Sequence, residues 1–256
     1  MSGEPEKLAE GTLVSHLLEL RDRLIRSLIS VAVMFVPAAI FANEIFEFIS
    51  KPLLAKLPEG ATLIATSVVS PFSTPFKTAF FAALFAAMPH VLYQAWAFVA
   101  PGLYRHEKRF ALPLVLSSIV LFYVGAAFAY FFVFPVMFEF FANTVPDGVA
   151  MMTDISNYVS FALTMFFAFG VAFEVPVAVV LLVLTGLVSL DALKRSRGYV
   201  LIGMFVIAAF LTPPDPISQT IMAVPMYLLY EGGIFMARML SRIRREAEER
   251  EEANAS

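Results

Sequence analysis

Four constellations in this chain combine residue types and spacings that could do chemistry. The first is a lone carboxyl group: Glu174 lies inside "FFAFGVAFEVPVAVVLLVLTG", two residues before Pro176. An ionisable group at the centre of such a run costs roughly 2.5 to 3.5 kcal/mol on insertion scales, and such groups ordinarily face a protein interior or a wet cavity. Glu174 reads either as a group that handles protons or ligands, or as a protonated side chain hydrogen-bonded to a neighbouring helix.

The second is "SHLLELRDRLIRS", where Glu19, Asp22, Arg23 and Arg26 fall at helical spacing on one face and Leu17, Leu20, Leu24 and Leu28 on another. Its plain reading is a solvated face with Glu19–Arg23 and Asp22–Arg26 ion pairs, each contributing about 0.2 to 0.5 kcal/mol. The third is "WAFVAPGLYRHEKR", in which Pro101 and Gly102 break a helix and Glu107 is embedded among Arg105, Lys108 and Arg109. A carboxylate among cations is usually paired with them, but one held near Glu19 could receive a cationic ligand. The fourth is "LTPPDPISQT": Pro213 and Pro214 force an abrupt turn, Asp215 or Ser218 could cap the following helix, and Gln219 adds polarity at membrane depth.

Enzyme machinery is missing from the sequence. There is no H-E-x-x-H helix, G-x-S-x-G elbow or glycine-rich phosphate loop, and the three histidines, His16, His90 and His106, lack partners at metal-ligand spacing. No catalytic residue, metal or cofactor is expected. The absence of cysteine excludes disulfides and thiolate chemistry. A net charge of -3, with its basic residues sorted by side, argues against a nucleic-acid partner.

These groups must be positioned by membrane helices. The chain is 59% hydrophobic and 15% charged, with a mean hydropathy of +0.79, well away from soluble composition. Six apolar segments predict an all-α bundle spanning the bilayer: Ile25 to Ala42, Phe76 to Val99, Ala111 to Phe138, Tyr158 to Thr185, Tyr199 to Leu211 and Ile217 to Ala237. The fifth is short, about 20 Å at 1.5 Å per residue. Pro37, Pro89, Pro113, Pro135, Pro176 and Pro225 predict bent helices and a concave bundle.

Fifteen of the 18 basic residues fall on the side of the two termini, and only Lys51, Lys56 and Lys77 fall opposite. Under the positive-inside rule both termini are cytoplasmic. Residues 1–24 read as an amphipathic segment, 25–237 as one membrane domain, and 238–256 as a charged, disordered tail. The charged, acidic start predicts no cleaved signal. "NEIFEFISKPLLAKL", with Ile45, Phe48, Ile49, Leu53 and Leu57 at helical spacing, predicts an amphipathic helix on the outer side.

In this order and at these places, "SHLLELRDRL", "WAFVAPGLYRHEKR", "FGVAFEVPVAVVLL" and "LTPPDPISQT" resemble the TatC family, the large subunits of twin-arginine translocases, over Leu13 to Arg238. The resemblance implies a bacterial inner-membrane receptor for the paired-arginine signal peptides of folded cargo, with no enzymatic activity. It also implies assembly with single-span TatB and TatA and with further copies of itself, and transport driven by the proton gradient. By motif, Glu19 and Glu107 would receive the arginines, Arg21 would hold a carboxylate in place, and Phe98 would form an apolar wall. Glu174 would face the concave side, and Met204, Gln219, Thr220 and Met222 would border the docking face for a partner helix. Apart from the resemblance, the residues also suit a proton-coupled small-molecule or ion transporter using Glu174. An intramembrane hydrolase is a weaker reading still, for want of a nucleophile.

Overall fold

The computed structural model describes residues 4–55, 62–99, 111–146, 149, 152–212 and 215–255. Helix α1 (Glu4–Ile40) is followed by α2 (Ala42–Leu54), strand β1 (Leu63–Ile64) and α3 (Ser70–Val99). Next come α4 (Ala111–Phe128), α5 (Phe134–Thr144), strand β2 (Thr153–Asp154), α6 (Ile155–Ala172) and α7 (Val175–Leu184). Short α8 (Leu190–Arg195), α9 (Arg197–Leu211) and α10 (Pro216–Ala255) complete the order.

Among the described residues, five helical stretches are long and apolar enough to cross a membrane: Val14–Ile40, Ser70–Phe98, Leu112–Thr144, Ile155–Leu184 and Pro216–Ile243. The chain is therefore a multi-pass membrane protein. The expected fifth span is α9, whose 15 residues rise only about 22 Å. That is too short to qualify by length.

Proline explains where the long spans change character. Pro135 has no N–H and its ring crowds the carbonyl four residues back; a π-turn over Ala129–Val133 takes up the mismatch, with the Phe134 N–H reaching back to the Ala129 carbonyl. Pro176 interrupts the fourth span in the same way. The helix closes at Phe173, whose N–H donates to the Phe169 carbonyl at 3.0 Å, and restarts at Val175 with Pro176 in its first turn. Glu174 stands in the gap.

Packing follows side-chain size. Gly170 on α6 lies where an added Cβ would meet the Phe122 ring of α4 at 2.5 Å, and Gly125 of α4 approaches the Phe169 carbonyl equally closely. Gly233 of α10 sits on the break, 2.9 Å from the Pro176 Cα by the same measure. One large core joins α4 to α7 with α9 and α10. Helix α1 instead packs chiefly on α3, burying Val31 against Ala83 and Ala87, and leaves Leu17, Leu24 and Leu28 exposed to the surroundings.

The amphipathic helix expected in the first outer loop is α2, with Ile49 and Leu53 buried and Phe48 stacked on Tyr130 at 4.6 Å; Leu57 lies outside the described residues. The Tyr158 hydroxyl donates to the Ile49 carbonyl at 2.6 Å. At the far end, α10 continues as a helix to Ala255, where an acidic composition predicted disorder. Helix-favouring Ala, Glu and Arg and pairs such as Arg242–Glu246 at 2.9 Å account for this.

Two connecting loops are clasped together through Asp154. Parallel β1 and β2 pair Leu63 with Thr153 and Ile64 with Asp154. The Asp154 carboxylate accepts from the Thr66 hydroxyl at 2.6 Å and the Thr66 N–H at 3.0 Å, and caps α6 by accepting from the N–H groups of Ser156 and Asn157. The Thr66 hydroxyl first, then these N–H donors, pull its pKa down to about 2. A depressed carboxylate pKa stabilises the clasp above the unfolded value, near 4, and that stabilisation is lost as pH falls through the folded value. Hydrogen exchange at the Thr66 amide should therefore be constant from neutral pH to about pH 5 after correction for intrinsic rates, and accelerate between about pH 4 and 2. Asp154→Asn should show fast exchange at neutral pH; wild-type protection in that variant would mean the clasp does not depend on the carboxylate.

Candidate functional site

At the end of the bundle where α1 meets the C-terminal turns of α3, charged groups form a connected network. Helical spacing places Arg23 one turn from Glu19, and the Arg23 guanidinium donates to Glu19 Oε1 through Nε at 3.0 Å and Nη2 at 2.6 Å. Its third nitrogen reaches across to Gln94 Oε1 on α3 at 3.3 Å, and the Gln94 amide nitrogen is 3.1 Å from His90 Nε2. Gln94 is only 5% exposed, so this crossing is a buried polar link between the two helices.

Among the described residues the second oxygen of Glu19 has no hydrogen bond as close as those from Arg23; the His16 Nδ1 is 4.0 Å from Oε2. The His16 ring in turn stacks on Phe98 with centroids 4.2 Å apart. Glu19 and Phe98 are thus brought together through His16, giving a fixed carboxylate beside an aromatic wall. Arg21 turns elsewhere: it donates to Asp22 at 2.8 Å, replacing the expected Asp22–Arg26 pair. The residue that holds the Glu19 carboxylate is Arg23. Glu107, expected opposite Glu19, lies outside the described residues, as do Pro213 and Pro214.

Glu174 occupies the gap between α6 and α7, and among the described residues its Oε1 is buried without a hydrogen-bond partner. Ser118 on α4, which packs on α6 and α7, is a polar side chain with no exposed surface. Ser118 Oγ itself accepts from the Trp96 indole N–H at 2.9 Å. The gap position, at the meeting of α6, α7, α4 and α10, explains how a carboxyl group is tolerated here.

On the far side, Asp215 caps α10, its Oδ1 accepting from the Ser218 N–H at 2.6 Å. Gln219 is half-buried and Thr220 exposed. A shallow apolar groove runs along this part of α10, lined by Pro216, Ile217, Thr220, Ile221, Val224 and Pro225. Met204 and Met222, expected to border a docking face, are instead 6% and 0% exposed. Both face the core, where long flexible side chains fill the space between α9 and α10.

A family model described as "Sec-independent protein translocase protein (TatC)" matches residues 15–225. The chain belongs to the TatC family. The matched range takes in Glu19, Glu174, Asp215 and Gln219 together. TatC proteins similar to this chain include one from Azotobacter chroococcum mcd 1, 56% identical over 97% of this chain and 96% of that protein. The TatC of Escherichia coli strain K12 is 51% identical over 88% of each chain. A crystal structure described as the twin-arginine translocase receptor TatC superposes with a TM-score of 0.80 at 38% identity, over 88% of this chain and 99% of that one. The TatC family is one of protein-transport subunits, and protein translocation is the process in which this chain takes part.

The TatC motifs pointed to Glu19, Phe98 and Glu174 but not to Gln94, Trp96 or Ser118, which the fold adds to them. A polar Gln94 within an otherwise apolar run was the available signal in the sequence, and Ser118 had none to set it apart from Ser117. The close approach of α4 and α6 sets the position of Ser118 relative to Glu174, so Gly170→Ala should destabilise the protein by about 1 to 3 kcal/mol. Phe122, 1% exposed, has no room to withdraw from the new methyl group. Thermal unfolding in detergent would check this, and an unchanged midpoint would show that the helices can part without cost.

Proposed function

We propose that this TatC-family chain is the receptor and core subunit of a twin-arginine translocase, binding paired-arginine signal peptides at the α1–α3 end. In this reading α9 is a short fifth span, which makes six in a proline-bent, concave bundle. Residues 25–237 form the membrane domain between segment 1–24 and tail 238–256, with both termini on the cytoplasmic side of a bacterial inner membrane. The excess of basic residues on that side supports this orientation.

The observation that carries the reading is Glu19: one oxygen is held by Arg23, and among the described residues the other has only His16 near it, beside the stacked His16 and Phe98 rings. A guanidinium suits such a site because its planar fork donates two parallel hydrogen bonds while its face stacks on aromatic rings. Glu107 is the second carboxylate of the pair, Arg21 shapes the surrounding charge through Asp22, and Phe98 supplies the apolar wall. Transport is driven by the proton gradient, with Glu174 acting on the concave side. Single-span TatB or TatA helices dock along α9 and α10, where Gln219 and Thr220 offer polar contacts beside the groove and the Pro213–Pro214–Asp215 turn fixes its outer end. Further copies of the chain complete the complex.

Binding of a twin-arginine signal peptide to the purified protein, compared with a twin-lysine peptide, tests this directly. Hydrogen bonds to charged groups contribute about 1.5 to 3 kcal/mol, so Glu19→Ala, Glu107→Ala and the lysine peptide should each weaken binding about ten- to a hundredfold. Equal, weak binding in every arm would remove the receptor reading, and solute flux through the isolated chain would then support a transporter.

A further inference from the structure

Ser118 stands apart from the hydroxyls that bond back to their own helix. Ser50, Thr78, Ser117, Thr164 and Ser241 each donate back to a carbonyl of the preceding turn at 2.7 to 2.9 Å. Among the described residues no carbonyl accepts from Ser118. Its oxygen is occupied by the Trp96 indole at 2.9 Å, and an indole N–H can only donate. The Ser118 proton is therefore available to a neighbouring helix, and the buried Glu174 Oε1, which has no hydrogen-bond partner among the described residues, is the acceptor that the helix register brings towards it.

The helix geometry makes this pairing specific. Phe122 of α4 lies against Gly170 of α6, and consecutive spans run in opposite directions. One turn further along, four residues back on α4 and four residues on past Gly170, come Ser118 and Glu174. Helix α7, which begins at Glu174, also packs on α4. On the other side, Trp96 stands two residues before Phe98 on α3. The Trp96–Ser118 hydrogen bond and the register of α4 on α6 thus set a line of polar side chains from the end of α3, through α4, to the break in the fourth span.

We propose that Ser118 is the positioning residue for Glu174, oriented by Trp96, and that the Trp96–Ser118–Glu174 relay couples the α1–α3 end to the intramembrane carboxyl. The proposal rests on the functional reading of Glu174. Trp96 holds the Ser118 oxygen so that its hydroxyl proton points at Glu174 rather than at the Leu114 carbonyl. A displacement of the end of α3 would release Ser118 to bond its own helix and leave the carboxyl without its donor.

The test uses Ser118→Ala, Ser118→Thr, Glu174→Leu and the Ser118→Ala/Glu174→Leu double variant. Export of a twin-arginine cargo is followed at equal membrane abundance, together with emission from the single tryptophan of each purified protein. Loss of one hydrogen bond predicts export lowered about two- to tenfold in Ser118→Ala. Ser118→Thr, which keeps the hydroxyl, restores it, and the double variant is no worse than Glu174→Leu alone. Trp96 emission shifts to the blue in Ser118→Ala, where the indole loses its acceptor, and stays in place in Ser118→Thr. Normal export by Ser118→Ala beside impaired Glu174→Leu overturns this proposal alone, as does unshifted emission or a loss that multiplies with that of Glu174→Leu. Normal export by Glu174→Leu removes the functional reading of Glu174, and this role for Ser118 with it.

Discussion

The two carboxyl groups singled out by this bundle depend on the polar side chains around them, and those side chains are tied to the last two turns of α3. Glu19 is held by Arg23, which is tied to α3 by Gln94 at 3.3 Å. Glu174 lies at the break that packs on α4 near Ser118, and Ser118 is tied to α3 by Trp96 at 2.9 Å. Within a membrane domain no lipid group could substitute for a polar partner of Glu174. Helix α3 is therefore the element on which the arrangement of α1 and of the fourth span both depend.

The rest of the packing keeps that element in register. Small residues let helices close where polar groups must meet: Gly125 and Gly170 between α4 and α6, and Gly233 against the break at Pro176. The short α9 is anchored at one end by Arg197, which donates to Glu231 of α10 at 2.6 Å. Between the loops, Asp154 fixes both β1 and the start of α6. Polar contacts sit at the ends and at one interruption, while apolar burial fills the lengths between.

Much of this was legible in the sequence because membrane helices announce themselves by length and composition. The Glu19–Arg23 pair, the amphipathic α2, the Asp215 cap and the strain at Pro176 all follow from spacing and residue type. What was not legible is what depends on contacts between helices distant in sequence. Nothing in "LSSIV" says that Ser118 rather than Ser117 faces a neighbour, because both fall inside one apolar run. Met204 and Met222 look like surface residues of a docking face until α9 and α10 are packed, when both are buried. The Arg21–Asp22 contact likewise overrides helical spacing, since adjacent long side chains at an exposed site meet without help from the helix.

The account holds that a twin-arginine peptide seats at the α1–α3 end, within reach of the single tryptophan two residues from Phe98. The most direct measurement is a titration of the purified protein with a tryptophan-free twin-arginine signal peptide, following Trp96 emission. The account predicts a saturable change that vanishes in Glu19→Ala. A peptide shown by independent means to bind, while leaving Trp96 emission unaltered, would place the receptor site elsewhere and contradict it.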